Sequence, residues 1–94
     1  MMFKMTANSS TAQFKSATGV VSVQFSGTFD SGTMAIQTLV PDSADTWVTM
    51  QDGTFTSGPV NKVCYVGANV PVRLTMSGAG GSLSIAGVLA EVFA

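Results

Sequence analysis

Cys64 stands two residues from Lys62 in the run Lys62-Val63-Cys64-Tyr65-Val66. A thiol becomes a nucleophile when a neighbouring base or cation favours its thiolate. Residues two apart on a strand share a face, so a Cys64–Lys62 pair is geometrically possible. The alternating run, however, suits a thiol turned into a core, where it packs as a small hydrophobe. The chain has no histidine, so its many hydroxyls lack the usual base, and a zinc ion lacks a ligand set. The carboxylates are Asp30, Asp42, Asp45, Asp52 and Glu91. Paired-carboxylate hydrolysis needs two of them across a cleft. All four aspartates fall in turn-like segments, where Asp commonly bonds backbone. Asp42 and Asp45 are close enough to share a calcium ion with loop carbonyls, but their spacing follows no defined calcium loop. Gly78-Ala79-Gly80-Gly81 precedes no helix and reads as a flexible turn rather than a phosphate cradle. No catalytic residue, cofactor or metal is expected. Trp47 and Tyr65 have two readings: a sugar-stacking platform, or, for Trp47, a filler of the core.

Composition agrees with this scarcity of chemistry. Charged residues make up 10% of the 94-residue chain, against about a quarter in an ordinary soluble domain. The net charge is −1, and Lys4, Lys15, Lys62 and Arg73 are scattered. There is no basic field for nucleic acid or an anionic membrane. One cysteine rules out a disulfide within the chain and fits synthesis in a reducing compartment. Residues 6–11 are polar, so no secretory signal is expected. The apolar run 85–90 is too short for a membrane-spanning helix.

The elements that would hold these residues are strands. The length fits one domain. Residues 1–18 show no sustained period, with Phe3 and Phe14 as isolated apolar anchors. They read either as a frayed terminus or as an arm that docks on a neighbouring subunit through those two rings. Residues 19–94 then form a single β domain. Val21, Val23 and Phe25 alternate with Ser22, Gln24 and Ser26, the period of a half-buried strand. A turn at residues 27–32 follows, with its glycines expected at positive φ. Further strands are expected at residues 33–40, 47–50, 60–66 and 70–76, and across 82–93. Asp52-Gly53 signals a hairpin turn, with a weak extra strand around Phe55. After Gly87 the apolar phase moves to Val88, Ala90 and Val92, which suggests a bulge. Six to seven short strands with turns about every ten residues predict an all-β, antiparallel β-sandwich or jelly-roll-like fold.

The stretch Phe25-Ser26-Gly27-Thr28-Phe29-Asp30-Ser31-Gly32-Thr33-Met34-Ala35-Ile36-Gln37 resembles small β-sandwich virion proteins of tailed bacteriophages. In that pattern a strand ends in Gly-Thr-Phe, a tight turn follows, and an alternating strand pairs back. Thr46-Trp47-Val48 leading to Asp52-Gly53, and Val72-Arg73-Leu74-Thr75-Met76-Ser77-Gly78 before a closing Leu-Ser-Ile strand, continue the likeness. It covers roughly residues 19–86. A similar layout occurs in immunoglobulin-like and fibronectin-like modules, although the cysteine pair of antibody-type domains is missing here.

The resemblance implies a non-enzymatic capsid decoration or cement protein, made in the host cytoplasm and carried on the virion. Its partners would be the major capsid protein or other virion subunits. It would act as a homo-oligomer, a trimer by preference because capsids offer three-fold positions. Phe3 and Phe14 are the candidate partner contacts, and removal of residues 1–16 is then expected to abolish attachment while sparing the fold. The alternatives are a tail, fibre or head-fibre component, or a carbohydrate-binding or adhesion module that uses Trp47 and Tyr65.

Overall fold

A computed structural model describes residues 1–93. The chain is all-β, with β1 (Met2–Met5), β2 (Val20–Thr28), β3 (Thr33–Leu39), β4 (Trp47–Phe55), β5 (Val60–Tyr65), β6 (Val72–Ser77) and β7 (Ser84–Glu91). They form two antiparallel sheets: sheet A, in the order β1-β7-β2-β5, and sheet B, in the order β4-β3-β6. The β-sandwich expected from the alternation is therefore present.

Alternation sets the core. Val21, Val23 and Phe25 of β2, Cys64 of β5, and Ile85 and Leu89 of β7 face inward from sheet A. Met34 and Ile36 of β3 and Val72, Leu74 and Met76 of β6 meet them from sheet B. Fully burying one such side chain contributes roughly 1.5–3 kcal/mol. Phe29 and Leu83 fill one end of the sandwich. There Phe25 packs on Phe29 at 5.9 Å and edge-on against Phe55 at 5.7 Å between ring centroids.

Three local expectations are corrected. In the 27–32 turn Gly27 takes the expected positive φ of 139°, but Gly32 does not; positive φ falls instead on Asp30 and Ser31, and Gly32 N–H donates to the Phe29 carbonyl at 2.8 Å. Asp30 is held there because its carboxylate accepts from Ser82 N–H at 2.8 Å and its carbonyl from Gly80 N–H at 3.0 Å. Asp52-Gly53 makes no hairpin: β4 runs through it, and the register against β3 shifts between Ala35 and Gln37. The pair bulges the strand, with Asp52 at φ 58° and Gly53 buried near Ile36. At Gly87 there is likewise no bulge, because β7 keeps one register against β2 from Ser84 to Glu91. Ile85, Gly87 and Leu89 all face inward. A Cβ at position 87 would lie 2.6 Å from Phe25 Cβ and 2.7 Å from Phe3 Cζ. The glycine lets two aromatic residues close over the strand, and Val88 and Ala90 are simply outward-facing.

Residues 1–18 lie on the chain's own body. β1 pairs with β7, burying Met5, and Phe3 packs half-buried against the core. The following segment then crosses to sheet B and runs beside β6. Phe14 and Val72 exchange both backbone hydrogen bonds, at 2.9 and 2.8 Å. Thr11 N–H donates to the Leu74 carbonyl, Leu74 N–H to Thr11 Oγ1 and Met76 N–H to the Ser9 carbonyl. This strap satisfies an edge that would otherwise invite pairing with another chain. Ser16, fully buried, anchors its end: Oγ donates to the Val20 carbonyl, and the Ser16 carbonyl accepts from Asn69 N–H at 2.8 Å.

Two outcomes follow. Deleting residues 1–16 removes β1 and uncovers β6, so it is expected to cost about 3 kcal/mol or more; a truncated protein that melts with the full chain in circular dichroism would contradict this. The second concerns Cys64, whose thiol burial pushes above its ordinary value of 9.0, opposed by a smaller pull from Lys62. Above about pH 9 the unfolded chain gives up this proton while the folded chain keeps it, so stability present at lower pH falls as pH rises. Urea midpoints at about pH 8 and about pH 10 are expected to drop further for the native sequence than for Cys64→Val.

Candidate functional site

The two outer faces of the sandwich differ in how far their side chains satisfy one another. On sheet B, the outward positions of β3 and β6 carry Gln37, Arg73 and Thr75, with Trp47 and Thr49 beside them on β4. Arg73 Nε donates to Gln37 Oε1 at 2.9 Å, and Thr75 Oγ1 donates to the same oxygen at 3.1 Å. Ser10 of the strap meets Thr75 Oγ1 at 2.8 Å, and Gln37 Nε2 reaches Thr49 Oγ1 at 3.4 Å. The Arg73 guanidinium lies 4.3 Å from the centre of the Trp47 ring. Trp47 is thus half-buried on the outer face with one side of its indole occupied.

Sheet A presents the opposite case. The registers order its outward side chains into five rows across the strands. Tyr65 lies beside Val20. The next row is Val63, Ser22 and Ala90, followed by Asn61, Gln24, Val88 and Met2, then Ser26, Ala86 and Lys4, and the last is Thr28 with Ser84. Among the described residues of this face Lys4 carries the only charge. Three large apolar side chains stand open here: Met2 at 87%, Tyr65 at 75% and Val63 at 61% of full exposure. They stand on the two edge strands of one face, with Ala90 and Val88 of β7 and the polar Ser22 and Gln24 of β2 between them. Single exposed hydrophobes are ordinary, and it is their concentration on one nearly uncharged face that suits a binding surface.

The face also has relief. Tyr65 and Val63 rise at the end of β5. Near the start of β5, Pro59, Asn61, Gln24, Ser26, Ala86 and Val88 border a shallow, open depression of about 350 Å³.

Trp47 and Tyr65 lie in different sheets, so the two rings do not form one platform. Phe3 and Phe14 are half-buried against the chain's own core and are not displayed for a partner. Cys64 is buried, and Lys62 Nζ donates instead to the Asp52 carbonyl at 3.2 Å, reaching from β5 to β4. Val63 and Val88 lay within strands read from the sequence but were not marked there as surface residues, and Met2 of β1 carried no period. For the two valines the signal was present in the outward phase of β5 and in the apolar second phase of β7 after Gly87.

The Arg73–Trp47 stack has its own test. Arg73→Ala is expected to shift Trp47 emission to longer wavelength and to lower stability by about 0.5–1 kcal/mol; an unchanged spectrum would show that the stack does not shield the indole. In comparisons with known proteins, no family model, no curated protein and no solved structure matches this chain.

Proposed function

We propose that this chain is a non-enzymatic structural protein of a bacteriophage particle, and specifically a capsid decoration or cement protein that acts by burying the outer face of sheet A against protein. The observation that carries the reading is that face: almost free of charge, and holding Met2, Val63 and Tyr65 in water. Burying it brings apolar gain at roughly 25 cal/mol per Å², with little cost for desolvating ions. Tyr and Met are among the residues enriched in protein interfaces. Many identical copies on one particle would make modest single contacts sufficient through multivalency.

The resemblance of residues 19–86 to phage virion proteins supplies the particular setting. A sugar-binding role draws less support, because the aromatic rings are divided between the sheets and the Trp47 indole is engaged by Arg73. Catalysis draws none from the buried Cys64, whose thiol is held protonated by burial.

Quantitative mass spectrometry of density-purified particles from the source tests the proposal. Copies in fixed proportion to the shell protein, in the hundreds, are expected. A few dozen or fewer would move the protein to the tail or fibres, and its absence from particles would overturn the virion assignment.

A further inference from the structure

We propose that the outer face of sheet A is a homodimer face, covered by the same face of a second copy across a two-fold axis that lies in the interface perpendicular to the strands. The inference rests on the reading that this face buries protein, and it commits to the partner.

Strand addition is poorly served by this fold, because each sheet edge is occupied or obstructed. The strap seals β6. The Asp52-Gly53 bulge distorts β4. β1 is only four residues long. β5 has Pro59 just before its first residue and carries Lys62 in register with buried Val23, an inward-phase charge of the kind that blunts sheet edges. Association therefore falls to the faces, and the outer face of sheet B already spends its polar groups on one another.

The face of sheet A is complementary to itself. Its knob, Tyr65 with Val63, stands at the end of β5, and its hole, the depression of about 350 Å³, adjoins the start of the same strand. An in-plane two-fold perpendicular to the strands exchanges those two ends. It seats Tyr65 of each copy in the depression of the other, the reciprocal contact that an isologous interface requires.

Chemistry agrees with shape. A two-fold sets like charges against each other near its axis, and among the described residues the one charged side chain of these rows, Lys4, lies on the edge strand β1, away from the knob and the depression. Gln24 and Asn61 border the depression and can both donate and accept, so they can satisfy the Tyr65 hydroxyl that the two-fold brings there. The strands β1, β7, β2 and β5 hold 4, 8, 9 and 6 residues; at about 3.3 Å per residue and about 4.8 Å between strands they cover roughly 430 Å² per copy, the size of a weak, transient contact. The pairing is accordingly a reversible one.

Sedimentation velocity of the purified chain over a concentration series tests this, with particle copy number as a second readout. The native sequence is expected to pass from one chain mass to two as concentration rises. Tyr65→Lys, which removes the knob, and Ser26→Trp, which fills the hole, are each expected to weaken dimerisation at least about tenfold. Thr49→Lys on sheet B is expected to leave it unchanged. All three sites are exposed, and unchanged melting curves would show that the variants fold. A chain that stays single at every concentration, a mass of three chains, or dimers indifferent to both face variants would overturn the two-fold pairing. If the native chain is single but Tyr65→Lys lowers the particle copy number, self-pairing falls while docking of this face on another protein stands. If neither property responds to Tyr65→Lys, both readings fall.

Discussion

Sheet A can close only because position 87 has no side chain. β7 lies between β1 and β2, and at its middle the Phe3 ring and the Phe25 side chain come too near for a Cβ to stand between them. That close approach fixes β1 against β7 and lets Met5 reach the core. With β1 placed, the chain leaves sheet A at residue 6 and meets β6 as a strap. Loss of that one approach would displace β1 and the strap together. The domain is thus tied by contacts between residues far apart in sequence, an arrangement whose loop-closure entropy slows folding.

The same geometry accounts for the contrast between the faces. Sheet B has β3 at its centre, and its outward Gln37 sits where an arginine, two threonines and a tryptophan can organise around it. Sheet A has β2 and β7 at its centre, and their outward residues are serines, alanines, one threonine, one glutamine and two valines. Short side chains there cannot reach one another, so nothing covers the larger residues of β1 and β5 from the side. A core formed by alternation needs only one apolar phase per strand. The second apolar phase of β7 therefore has no purpose within this chain, and the association argued for the face gives it one.

Much of the architecture was legible in alternation. Val21, Val23 and Phe25 on β2, and Val72, Leu74 and Met76 on β6, gave strand, phase and core together. β1 was illegible because four residues are too few to carry a period and their partner is more than eighty residues away. β4 was cut short because Asp-Gly serves a bulge as well as a hairpin, and the neighbouring strand decides between them. Apolar residues in both phases of β7 looked like a switch of face, since periodicity cannot separate a bend from a strand with two apolar sides. Tyr65 and Trp47 were visible as candidates. Their separation was not, because it depends on which sheet each edge strand joins. Arg73 escaped notice because its stack on Trp47 crosses from β6 to β4, beyond the reach of any local spacing.

The pairing of β1 with β7 also bears on mechanical load. Met2 stands opposite Val88, so the start of β1 and the far half of β7 lie at the same end of the sheet. Tension applied through Met1 and Phe93 would open that pair like a zipper, breaking one hydrogen bond after another rather than shearing them at once. Compression across the broad faces would instead be shared by both packed sheets. A domain of this construction is strong when pressed between neighbours and weak when pulled by its ends.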